Sequence, residues 1–471
     1  MHIPARSGPA PCTAVVLGGS IAGLLAARVL VEFCDHVTLL ERDRGSLDSG
    51  MRPGVPQAQH VHALLIKGQH ILETLFPGLR QELLQAGGHQ LDWMQDWRLL
   101  SLWGWLEQHE SDLMGVCCSR PLLEATLRQR LLAYENFHLR SGCTAQGLRI
   151  QSHNPRAIAG VEFSQRSDAG APAAREWMPA TLVVDATGRH SKLPQWLKTL
   201  GYPAPRQTRV NSFLGYASRW YRSHRPPQDS AVILTAKPGV SKRGGVVYPI
   251  EHQRILVTLS GIGGDHPPAE EAGFLAFAHS LRAPDIYEII QDSDPLTPIT
   301  CYRRTENQWR HYEDLRSFPG GLVTLGDSVC CFNPVYGQGM TAAALGAMVL
   351  SRAMQALPSP QDVQHPSFSR RFQRQLASVL QAPWLMATGE DFRWPETQGR
   401  RPGKPVQILQ AYFDRAFESS TWDPQMHEAF IEVVHLARSP WALLTPALLW
   451  KSLGPRRKAG PPCNRSECDK I

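Results

Sequence analysis

Thr13 to Leu30 reads TAVVLGGSIAGLLAARVL, and six residues later comes VTLLERD, Val37 to Asp43. A buried strand, a glycine turn, an apolar helix and a second strand ending in an acid make a βαβ unit. That order commits the chain to a parallel sheet with helical crossovers. Gly18 permits the tight turn, and Gly23 lets helix and strand approach closely. The helix N-terminus points free N–H groups at the place where a diphosphate binds. Glu41, at the end of the second strand, can accept hydrogen bonds from a ribose. Gly19, Ala22 and Arg42 border the same turn and strand end and are grouped with it. The middle glycine of G-x-G-x-x-G is replaced by Ser20, which is tolerable if its side chain turns away from the phosphates. The motif does not separate FAD from NAD, and a strand-turn-helix without any ligand is its plain alternative.

A second stretch, LGDSVCCFNPVYGQGMTAAALGAMVL (Leu325–Leu350), narrows that choice. The apolar strand GLVTLGD (Gly321–Asp327) places Asp327 at its carboxyl end, where open α/β sheets bind ligands. A carboxylate there suits the hydroxyls of a ribityl chain and would repel phosphates. Pro334 bends the chain, and GQGM (Gly337–Met340) opens a helix rich in small residues. Glycines let backbone approach a flat ring, and the helix N-terminus favours negative charge on a reduced flavin. An acid for the sugar alcohol and a dipole for the ring together describe a flavin, and NAD requires neither. Taken alone, this segment is equally well a helix packed through its alanines and glycines.

With those residues in view the chain resembles a family. GGSIAG, the late GD…P…GQG and a middle VVDATGRHS (Val183–Ser191) are similar to the FAD-dependent monooxygenases of the aromatic-hydroxylase type. GVPQAQHVHALL (Gly54–Leu65) and ATGEDFRWPETQGRRP (Ala387–Pro402) resemble a branch holding bacterial polyene and polyether-precursor epoxidases and related tailoring hydroxylases. The resemblance implies FAD contacts at Gly18, Ser20, Gly23 and Glu41, and at Arg120 near the diphosphate or ribityl chain. It implies that Asp327 holds the ribityl chain while Pro334, Gly337, Gly339 and Met340 border the isoalloxazine. The implied reaction inserts one oxygen atom of O2, by epoxidation or hydroxylation, into a lipophilic alkene or aromatic substrate through a flavin C4a-hydroperoxide. No catalytic acid or base is demanded, and Tyr336 is a pocket residue only. In the middle motif Thr187 precedes Gly188 where the family has Asp-Gly followed by an arginine that also serves NADPH. Electrons from NAD(P)H are therefore expected directly or through a separate flavin reductase. Rival readings are a flavin-dependent reductase of isoprenoid double bonds and a non-catalytic flavoprotein. A halogenase is discounted, because GVVYPIE (Gly245–Glu251) stands where W-x-W-x-I-P would be.

The implied fold is α/β (α+β). A discontinuous Rossmann-like nucleotide domain (1–89, 118–200, 297–357) carries an antiparallel-sheet substrate domain (90–117, 201–296). A mostly helical region with a polar tail (358–471) completes it. Short alternating runs such as RILVTLSG read as strands with one covered face. The four tryptophans of Gly87–Gln108 fill a core or line a cavity. The 42% hydrophobic content and net charge of +7 over 471 residues describe an ordinary globular chain, with nucleic acid an unexpected partner. The ten cysteines contain no CxxC pair, so no metal site is expected and reduced thiols of the cytoplasm are the default. His60, His62, His70 and His89 are expected on loops and helix surfaces. The N-terminus lacks an apolar signal region, and no run reaches the roughly 20 apolar residues of a membrane span. SPWALLTPALLWKSL (Ser439–Leu453), followed by basic GPRRK, either packs on the domain or lies on a membrane surface.

Overall fold

The computed structural model describes residues 11–44, 52, 54, 56–165 and 174–453. The first ten residues, the basic GPRRK and the tail cysteines Cys463 and Cys468 lie outside them.

Five parallel strands form the central sheet, in spatial order Leu322–Thr324, Leu182–Asp185, Thr13–Leu17, His36–Glu41 and Phe137–Ser141. Thr13–Leu17 and Leu182–Asp185 are apolar almost throughout because the sheet is covered on its faces, so alternation has no solvent side to serve. Helices Ile21–Leu30 and Gly339–Gln355 pack on each other and on this sheet, joined by helix Arg120–Leu132. An antiparallel trio, Cys143–Ile150, Ile158–Gln165 and Ala174–Pro179, completes the covering.

The second sheet has seven strands and is largely antiparallel, built on Gly215–Arg222, Arg254–Gly261, Arg243–Ile250 and Val232–Leu234. Arg98–Leu100 adds to one edge in parallel, and Asp294–Pro295 lies at the other. Thr300–Tyr302 pairs with Tyr216–Ser218, so the sheet extends past the boundary expected at residue 297. Strand alternation sorts its faces. Ala217, Tyr221, Val257 and Leu259 enter a core with Phe274 and Ile286 of helices Glu271–His279 and Asp285–Gln291. Tyr216, Ser218 and Thr258 face the other way. A small sheet of Arg206–Val210, Asn307–His311 and Cys330–Cys331 stitches the two halves together.

Helices Pro366–Asp391, Lys404–Ser419, Pro424–Val434 and Pro446–Leu453 form the C-terminal region. The stretch expected as one apolar helix over Ser439–Leu453 is instead a short 3-10 turn, Pro440–Leu444, and a separate helix. Pro446 has no N–H to continue an earlier helix, so a break falls there. Leu443 and Leu448 pack into a small core with Met426 and Val433, leaving Trp441 and Trp450 exposed. No helix of the described residues is long and apolar enough to cross a membrane.

Candidate functional site

The first glycine turn has the geometry its sequence demands. Gly18 adopts φ +98°, and a Cβ there would lie 2.6 Å from the Ala186 carbonyl oxygen. At Gly23 an added Cβ would lie 1.8 Å from the Gly18 oxygen, so only glycine brings this helix down onto its strand. Ser20 occupies the N-cap of Ile21–Leu30 without bonding to the helix. Its hydroxyl donates to Glu124 Oε1 at 2.7 Å and accepts from Arg120 Nη2 at 2.9 Å. The serine is thus drawn toward the helix Arg120–Leu132, and the first N–H groups of its own helix stay uncapped.

Beneath that turn lies a buried ionic cluster. Glu124 pairs with Arg120 at 2.7 Å and with Arg52 at 2.6 Å. Burial alone would raise its pKa, yet Arg120, Arg52 and the Ser20 hydroxyl hold it down to about 2. Glu41 Oε2 accepts from the Gly19 N–H at 2.7 Å and lies 3.1 Å from Arg52, while its Oε1 accepts from the Asp43 N–H. The expected ribose acceptor is therefore drawn in against the turn. Arg42 lies outside this cluster, exposed, and donates to the Gly54 carbonyl at 2.9 Å. Arg128 is buried 4.0 Å from Glu124, and its Nη2 has no hydrogen-bond partner among the described residues. Sequence reasoning missed Arg52 and Arg128. Arg52 stands two residues before GVPQ and Arg128 one turn beyond Glu124, and neither position belongs to a glycine turn or strand end that marks a ligand contact.

The late segment forms the other half. Leu322–Thr324 ends in a 3-10 turn, Gly326–Ser328, that carries Asp327 to the carboxyl end of the sheet. Gly326 takes φ +62°, with Ala22 of the first helix close against it. Burial raises the Asp327 pKa, and only Arg189, Arg120 and Arg310, acting at a distance, oppose this. Its backbone oxygen accepts from Cys331 Sγ at 3.0 Å, leaving the carboxylate available. Pro334 starts a 3-10 turn, Gly337 follows at φ +65°, and Gly339 opens the helix Gly339–Gln355 with nothing within 4 Å of where its Cβ would be. Met340 is buried behind it. Gln338 Oε1 and Thr341 Oγ1 are buried there without hydrogen-bond partners among the described residues.

The middle motif serves as a clasp. Buried Asp185 accepts from Thr187 Oγ1 at 2.6 Å and from Ser191 Oγ at 2.5 Å. The Gly188 N–H donates to Ser328 Oγ at 2.8 Å, tying this loop to the Asp327 turn.

A cavity of about 1060 Å³ opens beside Pro334–Gln338. Its walls come from the Tyr216–Thr258 face of the antiparallel sheet, from Met386 and Phe392, and from Phe413 and Phe417. Of the four tryptophans, Trp93 and Trp103 line it, Trp97 stacks on Trp93 at 4.6 Å, and Trp105 packs against the helical core. Asp391, from the GEDFRWPET stretch, accepts from Tyr336 OH at 2.9 Å, Asn333 Nδ2 at 2.8 Å and Asn307 Nδ2 at 2.6 Å. Burial raises its pKa to about 6 against these donors. His60 lies in a loop, as expected, yet it is 1% exposed and lines the cavity. The periodicity of its loop gave no sign of this, because burial comes from a strand 158 residues away. His311, Glu313 and Asp314 cluster as metal ligands would, but both His311 nitrogens are engaged, with Thr208 and Glu313, each at 2.7 Å.

The site fits a flavin dinucleotide on three counts. Arg128 is a buried cation whose Nη2 has only a 4.0 Å ion pair with Glu124 and no hydrogen bond among the described residues, Asp327 offers a free carboxylate for a polyol, and Gly339 leaves open space at a helix N-terminus.

No protein-family model matches the chain. The Mycobacterium tuberculosis protein Rv3254 is 28% identical over 444 residues, covering 93% of each chain. Among solved structures, the flavin-dependent brominase Bmp2 superposes with TM-score 0.62 at 13% identity, over 93% of this chain and 97% of that one. PqsL of Pseudomonas aeruginosa, described as a probable FAD-dependent monooxygenase, gives 0.56 at 14% identity, over 89% and 99%. The myxobacterial chondrochloren halogenase CndH gives 0.58 at 17%, over 91% and 97%. The chain shares the mixed α/β fold of these three solved structures along nearly its whole length.

Proposed function

We propose that this protein binds FAD between its two glycine turns and transfers one oxygen atom of O2 to a lipophilic substrate. The observation that carries the reading is the large, mainly apolar cavity ending at Pro334–Gln338, the loop before an open helix N-terminus. FAD bound there supplies the electrons that activate O2. The chain's residues do the rest. Ile21–Leu30 and Arg128 take the diphosphate, Asp327 accepts from the ribityl hydroxyls, and the N–H groups at Gly339 and Met340 favour negative charge on the ring edge. Phe413, Phe417 and Trp103 keep water from the reacting face. Leu385 and Trp441 line the cavity yet are 51% and 61% exposed, which suits a mouth that admits apolar molecules, including from a membrane surface. Electrons come from NAD(P)H, directly or through a reductase. Epoxidation or hydroxylation of an alkene or arene, as in the tailoring enzymes the sequence resembles, is the reaction that suits such a chamber.

The test is the visible spectrum of the purified protein, followed by O2 consumption with NAD(P)H, with and without an added flavin reductase. A yellow protein whose reduced form consumes O2 is the expected outcome. A colourless chain that takes up no FAD at saturation removes the proposal.

A further inference from the structure

The cavity has one buried polar group whose hydrogen-bonding pattern can be worked out. His60 Nδ1 lies 2.7 Å from Ser218 Oγ, and Ser218 Oγ lies 2.6 Å from Thr258 Oγ1. Ser218 and Thr258 are cross-strand partners on the sheet face turned away from the helical core. The Val61 N–H donates to Thr258 Oγ1 at 3.2 Å. Each hydroxyl has one hydrogen to give. If Ser218 donated to Thr258, the Thr258 hydrogen would have no acceptor among the described residues. The arrangement that satisfies both runs Val61 N–H to Thr258, Thr258 to Ser218, and Ser218 to His60 Nδ1. Nδ1 is then the acceptor, and the ring proton resides on Nε2. Nε2 is buried with no partner among the described residues, in a residue that lines the cavity. Tyr216 meets the ring edge-on at 4.5 Å and Tyr302 stands at 5.9 Å, which fixes its plane. A buried donor left unmade is costly, and a fixed one discriminates strongly.

We propose that His60 Nε2–H is a hydrogen-bond donor to an oxygen acceptor, such as a ketone, ester or amide carbonyl, on an otherwise apolar substrate in this cavity. The inference rests on reading the cavity as the substrate chamber of the proposed oxygenase. It predicts that pure hydrocarbons are poorer ligands than their oxygenated counterparts once hydrophobicity is matched. Burial pushes the His60 pKa down to about 3, so the donor stays neutral and its preference is flat between about pH 5 and 8.

A near-isosteric probe pair tests this: 2-acetylnaphthalene and 2-isopropylnaphthalene, titrated by quenching of tryptophan fluorescence on the full chain, with and without FAD. His60→Leu is expected to weaken the ketone about five- to tenfold relative to the hydrocarbon. His60→Gln, which keeps an N–H donor, recovers part of the ratio. The bound ketone's carbonyl stretch should lie at lower frequency in the wild type than in His60→Leu. An affinity ratio unchanged by His60→Leu, or a carbonyl stretch equal in both proteins, overturns the inference. So does a change confined to the FAD spectrum, which would assign the proton to the cofactor. Because the binding arm needs no turnover, a chain that fails to take FAD still reports on His60, and a failed His60 test leaves the oxygenase reading standing.

Discussion

At the scale of single residues, Glu124 organises the nucleotide end of the site. Its carboxylate takes Ser20, Arg120 and Arg52 at once, so the loop after the second strand, the first helix and the Arg120 helix share one buried charge. Breaking a buried ion pair from one side strands the other charges. Glu124→Ala is accordingly expected to cost about 3–5 kcal/mol in urea unfolding. The pH sign follows from its pKa of about 2, lower than in an unfolded chain. Its stabilisation is complete above about pH 4.5 and is lost as the pH falls toward 2, worth on the order of 3 kcal/mol. Asp327 has no such structural partner, so Asp327→Ala should leave stability nearly unchanged while weakening FAD about 10- to 100-fold, measured by flavin fluorescence titration. Retention of FAD at wild-type affinity would remove Asp327 from the ribityl assignment.

At the scale of elements, close backbone approach fixes how the helices meet. Helix Ile66–Leu75 lies against Gly339–Gln355 so tightly that a Cβ on Gly68 would be 2.6 Å from Thr341 Oγ1. Thr341 is buried in the first turn of the helix proposed to face the ring. Gly68→Val should push the two helices apart, costing about 1–3 kcal/mol, and should weaken FAD in parallel, whereas Gly68→Ser is milder. Thermal unfolding and FAD titration on the same preparation check both. Gly346 on the same helix has room for a methyl group, its nearest neighbour being 3.4 Å away, so Gly346→Ala serves as the control and should be neutral or slightly stabilising.

At the scale of the whole molecule, Asp391 is where remote parts of the chain meet. Tyr336 and Asn333 come from the loop before the late helix, Asn307 from the small sheet and Ser212 from the start of the substrate sheet. One carboxylate at the end of a C-terminal helix thus ties the cavity-lining loop of Tyr336 to the small sheet and to the start of the substrate sheet. Because burial raises its pKa to about 6, this group has the opposite sign to Glu124. Its contribution is fully present below about pH 4 and is lost as the pH rises through 6. Asp391→Asn should flatten the stability profile between about pH 4 and 6, measured by urea midpoints at each pH. A profile as steep as the wild type's would show that Asp391 does not titrate in that window.

Short-range signals determined the two glycine turns, the strand that delivers Asp327 and the presence of strands over Gly215–Gly261, but not that the second face of that sheet, with Trp220, Tyr248 and Leu256, is buried as well. Positive φ, close approach and strand alternation are properties of neighbouring residues, so GGSIAG, GQGM and RILVTLSG carry them in their own letters. Only the tertiary structure decided that Ser20 turns toward Glu124, that Arg52 and Arg128 belong beneath the first turn, that His60 is buried, and that Asp391 holds Tyr336. Each of those depends on a partner dozens to hundreds of residues away, whose distance no local pattern encodes. Charge and hydrogen bonding act through space, and burial is conferred by whatever the fold brings alongside.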